Sequence, residues 1–352
     1  MPEEVAAQLQ AHGVAVRADE ARRVLAHYLS PMARRDAKKR PLGKALKAEV
    51  ARLFDLARLE VLERATDPAD GFVKYLFRHA DGALSEAVRI PLHRPGHFTV
   101  CLSSQVGCAM RCAFCATAGL GLQRNLSAAE IALAFAAIRD ETDGRVKGAV
   151  FMGQGEPLAN YDQVMRAAAV LSHPCGGRID ARMISISTVG LVPQIRRFAA
   201  EGRPHRLIVS LTSAIPDKRR TLLPIAGRYP LAELVTALEA YQEACNNRVT
   251  VAWVLLRGVN TGPDEVAALR ALFGHLRLRI NLIDLNETAR APGVYARAAE
   301  TERQAFLDAL TKLGFPVVRR YSGGQTKHAA CGMLASTFQE RSRRDRAAAK
   351  SI

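Results

Sequence analysis

Acidic residues, cysteines and long apolar runs are all scarce in this 352-residue chain, and each shortage removes a class of protein. Thirty-four Asp and Glu face fifty Lys and Arg, leaving a formal charge of +16 and a sequence pI near 10.0. A field of that sign attracts polyanions, with nucleic acid as the first candidate. No apolar run is long enough to cross a membrane. The opening "MPEEVAAQLQAHG" is acidic and helical, without the basic-then-apolar pattern of a secretion signal. The expected location is therefore the cytoplasm, where thiols stay reduced. Seven cysteines, odd in number and unevenly spread, do not make a disulfide framework. No repeat or low-complexity tract breaks the chain, and with 49% apolar residues it can bury a sizeable core.

Apolar spacing of three and four residues predicts helices up to about residue 65. "GFVKYLFRHADGALSEAVRIPL" then reads as two strands about an Asp81-Gly82 turn. From about 97 onward strand-like runs alternate with helical ones: "HFTVCLS", "GAVFMG", "RMISIST", "RLIVSLT", "VTVAWVLL", "RINLIDL" and a last short "FPVVRRY". Ser127 and Glu130 form a capping-box pair ahead of "AAEIALAFAAIRDE". Repeated βα units imply a parallel sheet with helices outside it. The expected fold is α/β: a partial (βα)6 barrel at 97–335, preceded by a helical domain at 1–65 and a small β appendage at 66–96, and followed by a basic tail at 336–352. In such folds ligands sit at the carboxyl ends of the strands.

Four of the seven cysteines fall within "CLSSQVGCAMRCAFC" at 101–115. Cys108, Cys112 and Cys115 form a C-x3-C-x2-C pattern directly after the first barrel strand. Thiolates suit zinc or iron–sulfur clusters. Structural zinc usually takes four protein ligands, and no second pair follows. Three thiolates can instead hold three irons of a 4Fe-4S cluster and leave the fourth open to a substrate. That is the logic of radical S-adenosylmethionine (SAM) enzymes, in which the cofactor supplies the reactivity and the protein positions it. "GQGEP" at 153–157 follows the second strand, and Glu156 can accept the SAM ammonium there. Ser187 and Ser210 end two later strands. Cys331, in the polar, glycine-punctuated "GGQTKHAACG", has the setting of a reactive thiol; Cys175 and Cys245 read as structural.

The runs "CLSSQVGCAMRCAFCATAGLGLQRNL", "MGQGEPLAN", "SISTVG", "INLIDLN" and "AACG" resemble the RlmN/Cfr family of radical SAM RNA adenine methyltransferases. The resemblance covers nearly the whole chain after about residue 70. It implies a 4Fe-4S cluster on Cys108, Cys112 and Cys115, and SAM contacts from Gly155, Glu156, Ser187, Ser210, Leu211, Thr212 and Asn286. It also implies that Cys331 is methylated by one SAM and, after radical formation from a second, delivers a one-carbon unit to C2 or C8 of an adenosine in rRNA or tRNA. Cys101 would resolve the protein–RNA adduct through a transient disulfide, and Glu86 would accept a proton. The implied partners are RNA and a flavodoxin- or ferredoxin-type reductant, with the protein a monomer away from membranes. Thr212 stands where the family usually has histidine, and Gln154 where methionine is common. Two other readings compete: a radical SAM enzyme acting on a small molecule or peptide, and a zinc-stabilised nucleic-acid-binding protein.

The stretch at 31–47 carries seven basic residues against one acid. Replacing Arg34, Arg35, Lys38, Lys39 and Arg40 with Ala is expected to weaken RNA binding. It should also flatten the logarithmic salt dependence by roughly 0.7 to 0.9 for every phosphate the protein no longer neutralises. Filter binding across a salt series reads both, and unchanged affinity and slope would locate the RNA grip elsewhere.

Overall fold

The structure is a computed structural model that describes residues 1–29, 42–53, 59–286, 294–320 and 323–334. Most of the basic run at 31–47, the segment 287–293 and the basic tail at 336–352 lie outside the described residues. At the N-terminus, helices α1 (Pro2–Ala11), α2 (Ala18–Leu29) and α3 (Lys44–Leu53) share a small core of Leu9, Val24, Leu42 and Val50.

The helical reading fails at the end of that region. Glu60–Thr66 is a strand, β1, which pairs antiparallel with β2 (Val73–Arg78) through a bulge at Val61/Glu63. The spacing in "LARLEVLERA" satisfies a helix locally, but an available sheet edge outweighs so weak a preference. The β region therefore begins at 60 and has three strands, β2 turning at Asp81-Gly82 into β3 (Leu84–Pro91). Nor is it an appendage. β3 pairs antiparallel with β4 (His97–Cys101), which makes it continuous with the main sheet.

That sheet has ten strands in the order β1-β2-β3-β4-β7-β8-β9-β10-β11-β12. Strands β4, β7 (Arg145–Phe151), β8 (Ile184–Thr188), β9 (Arg206–Ser210), β10 (Val249–Leu255), β11 (Leu278–Asp284) and β12 (Val317–Arg320) run parallel. Each strand segment anticipated after residue 97 is one of these. Among the described residues the sheet does not close, since β1 and β12 are its edges. A separate hairpin, β5 (Gln105–Gly107) with β6 (Leu122–Asn125), brackets the cysteine loop.

Helices α4 (Ala128–Glu141), α5 (Tyr161–Ser172), α6 (Val192–Ala200), α7 (Pro216–Leu222), α8 (Leu231–Cys245), α9 (Pro263–Phe273) and α10 (Glu300–Lys312) link successive strands. The expected capping box starts α4: Glu130 N–H donates to Ser127 Oγ, and Ser127 N–H to the Glu130 carboxylate. Side chains alternate across the strands. One set, including Phe151, Ile186, Val209, Trp253 and Leu282, packs in the main core with helix residues such as Phe135, Phe198 and Phe306. The other set, Val88, Cys101, Val150, Ile208, Ala252 and Ile283, forms a second apolar cluster with Ala329 and Leu334.

Trp253 is fully buried, sits 5.5 Å from the Phe306 ring and donates from its indole N–H to Asn260 O. Trp253→Ala is expected to cost about 3–5 kcal/mol. Chemical denaturation should show a lower midpoint without a changed slope.

Candidate active site

The cysteine loop is shaped by backbone contacts before any ligand is considered. Gly107 adopts φ +77°, and a Cβ there would meet Gly121 O, so only glycine fits where the hairpin closes. Cys108 N–H donates to Gly121 O at 3.0 Å, and Ala113 N–H to Leu222 O on α7 at 2.9 Å. Arg111 takes the left-handed conformation between the first two cysteines. Met110, Cys112 and Phe114 pack against Val189, Leu222, Leu223, Leu256 and Leu285.

The three thiols line one cavity with Gly155, Glu156, Ser187, Ser210, Asn286 and Cys331. Burial pushes the Cys108 thiol up to about 11 and raises the Cys112 thiol well above the ordinary thiol range, and the neighbouring thiols add to both shifts. Three thiolates crowded this way need a cationic centre to exist together. A set of three thiolates on one short loop is a donor set that suits an iron–sulfur cluster.

The glycine loop follows β7. Gly155 has φ +99°, and a Cβ there would lie 2.6 Å from the Gln105 side chain. Gln105 Oε1 accepts from Glu156 N–H at 2.9 Å. The Glu156 carboxylate accepts from Leu158 N–H at 3.0 Å and from Val189 N–H at 2.9 Å, joining the ends of two strands. Burial raises its carboxyl to about 7.

Cys331 is brought in by hydrogen bonds from three distant segments. Asp70 and Asp67, in the β1–β2 turn, accept from Gly324 N–H at 2.8 Å and Thr326 N–H at 3.0 Å. Asn286, just after β11, donates to Cys331 O at 2.9 Å. Ala116 N–H donates to Gly332 O at 2.8 Å, and Thr117 Oγ1 to Leu334 O. Cys331 also lines a second, smaller cavity with Cys101, Met152 and Arg320. It thus forms part of the wall of both spaces. Both sulfurs are free thiols. Burial raises Cys101 to about 12, with the Cys331 sulfur adding to the rise and the Arg320 charge opposing it.

Other anticipated residues fall elsewhere. Leu211 and Thr212 are fully buried and do not line the main cavity; Thr212 has φ +59°, and its carbonyl accepts from Asn260 Nδ2. Glu86 lines neither cavity. It sits buried on β3, 3.4 Å from Lys74 Nζ, and accepts from Gln154 Nε2 at 3.3 Å. Burial raises its carboxyl to about 7 against the pull of Lys74. Sequence reasoning missed Gln105, Asp67, Asp70 and Arg219. The bonds that tie them to the site reach backbone groups of other elements, for which no spacing rule exists.

Comparison with known proteins places these features. The Radical SAM superfamily matches residues 102–270. A probable RNA methyltransferase of Anaeromyxobacter sp. (strain Fw109-5) is 53% identical over 273 residues, covering 77% of this chain and 80% of that protein. The dual-specificity RNA methyltransferase RlmN of Syntrophobacter fumaroxidans is 38% identical over 331 residues, 93% of this chain and 94% of its own length. A solved radical SAM methyltransferase from Sphaerobacter thermophilus matches with TM-score 0.87 and 35% identity, over 95% of this chain and 97% of that one.

Anaerobic incubation with iron and sulfide is expected to load about four irons per chain. Cys112→Ser should retain less than about a quarter of that iron and lose the brown colour. Colorimetric iron analysis checks this, and a colourless native protein holding tight zinc would contradict it.

Proposed function

The chain belongs to the RlmN family of radical SAM RNA methyltransferases, and on that premise we propose that it methylates an adenosine ring carbon, C2 in preference to C8, in rRNA or tRNA. It is an enzyme that uses a 4Fe-4S cluster and SAM. The observation that carries the finer reading is the position of Cys331, in the wall of both the cavity with the three cluster thiols and the one with Cys101.

Cys108, Cys112 and Cys115 are the proposed cluster ligands, with Gly155, Glu156, Ser187, Ser210 and Asn286 as the SAM-facing wall. When bound, these groups supply a methyl group and a carbon-centred radical. The Cys331 sulfur carries the one-carbon unit to the base. Cys101 then attacks that sulfur: an S–S bond forms, the S–C bond breaks, and the carbon keeps the electron pair and takes a proton. Glu86, raised to about 7, suits proton transfer near neutral pH, and Gln154 ties it to the glycine loop. Leu211 and Thr212 act from behind the wall by shaping the end of β9.

The target base must leave its stack to reach the mouth of the sheet, so a loop or single-stranded region is the proposed substrate. The helical head and the basic 31–47 run grip phosphates in this reading. A flavodoxin- or ferredoxin-type protein supplies electrons to a cytoplasmic monomer. Among the described residues no helix is long and apolar enough to cross a membrane.

Cys101→Ala protein made in cells is expected to carry covalently bound RNA, seen as a ribonuclease-sensitive shift on denaturing gels. Cys331→Ala should carry none, and nucleoside mass spectrometry of RNA treated with native enzyme should show adenosine methylated on C2. Equal shifts in both variants, or in neither, would remove the two-thiol mechanism.

A further inference from the structure

Arg219, on α7, is a cation in an unusual setting. Only 2% of it is exposed. Its Nη1 donates to Ser210 O at 2.9 Å and to Leu211 O, and its Nη2 to Val189 O at 2.7 Å. These carbonyls lie at the ends of β8 and β9, where the cavity wall is built. Its Nε is buried without a hydrogen-bond partner, and among the described residues no carboxylate pairs with it. Both sequence neighbours, Lys218 and Arg220, do have carboxylate partners. A buried charge without a counter-charge is costly, and carbonyl dipoles offset only part of that cost.

The missing charge has an evident source. The α7 helix touches the cysteine loop through the Ala113–Leu222 hydrogen bond, and Cys112 packs beside Leu222 and Leu223. Were Cys112 ionised, as a cluster ligand is, its negative charge would act favourably on Arg219. With three thiolates attached, an oxidised four-iron cluster carries one net negative charge and gains a second on reduction. Arg219 does not line the cavity, and its Nη atoms are committed to carbonyls, so it acts through space.

We propose that Arg219 is the fixed counter-charge of the cluster, balancing the thiolate-bound irons from the helix that packs against the cysteine loop and favouring the reduced state. The inference rests on the assignment of the cluster to Cys108, Cys112 and Cys115. In the step it assists, one electron passes from a flavodoxin- or ferredoxin-type reductant to the cluster, whose negative charge rises by one while the guanidinium stays protonated. Hydrogen bonds and nearby charge are established levers on cluster potential.

The test is an anaerobic redox titration of the reconstituted full chain, followed by visible absorbance and electron paramagnetic resonance, with iron content measured in parallel. Arg219→Gln should retain iron but show about a tenfold lower ratio of reduced to oxidised cluster at a fixed potential, a midpoint about 59 mV more negative. Arg219→Lys keeps the charge while losing the fork, and should titrate close to the native protein. A native midpoint in the Gln variant at full iron content would overturn the proposal, as would a Lys variant displaced as far as the Gln variant. Should the Gln variant fail to fold, Arg219→Met removes the charge in its place with the same expected displacement, and a native midpoint there, or a tenfold displacement in the Lys variant, refutes the proposal. Native protein that takes up no iron would defeat the cluster assignment itself, a result distinct from a loaded cluster with an indifferent Arg219.

Discussion

The site depends on one constraint: residues 324–334 must be held across the mouth of an open sheet. Asp67, Asp70, Asn286, Ala116 and Thr117 do this by hydrogen bonds to the backbone of that segment. The contacts come from the β1–β2 turn, the end of β11 and the turn after Cys115. Each removes conformational freedom that the reaction would otherwise have to overcome, and together they fix the Cys331 sulfur between two cavities. The antiparallel strands β1–β3 therefore belong to the site, because without them Asp67 and Asp70 have no place from which to reach.

A second theme is charge held away from water. Burial keeps the Cys108, Cys112 and Cys101 thiols neutral and lifts Glu156 and Glu86 to about 7, while Arg219 lies buried without a carboxylate partner among the described residues. Such groups are expensive to bury. In the proposed assignment three thiolates on a cationic iron core would leave an assembly of net negative charge, which would offset the Arg219 cation and hold the neighbouring carboxyls neutral. The site is thus built for its cofactor more than for its own stability, which is how functional sites depart from the pattern of an ordinary core.

Legibility from sequence follows the range of the interactions. The seven parallel strands and the Ser127–Glu130 cap are readable because both are set by residues a few positions apart. So is the cysteine triplet, whose spacing fits one short loop. β1 reads as helix because its apolar spacing satisfies a helical period, while its true partner, β2, is a tertiary neighbour. Glu86 is legible as a strand residue, but its burial beside Lys74 follows from strand pairing: Tyr75 and Leu76 lie opposite Ala87 and Glu86. The family pattern points Thr212 at the ligand, yet its left-handed backbone and the bond from Asn260 turn it into the wall.

What the sequence determined by itself was the inventory: which thiols share a loop, which strands alternate, which charges are in excess, and which family the chain resembles. Tertiary structure decided which of those groups meet. Cys101 and Cys331 come to share a cavity, and the helix that carries Arg219 comes to pack against the cysteine loop, only because parallel strands bring their carboxyl ends together across more than a hundred residues of chain. Covalent spacing governs groups a few residues apart, whereas burial and counter-charge depend on everything that surrounds a group. Those surroundings exist only once the sheet has formed.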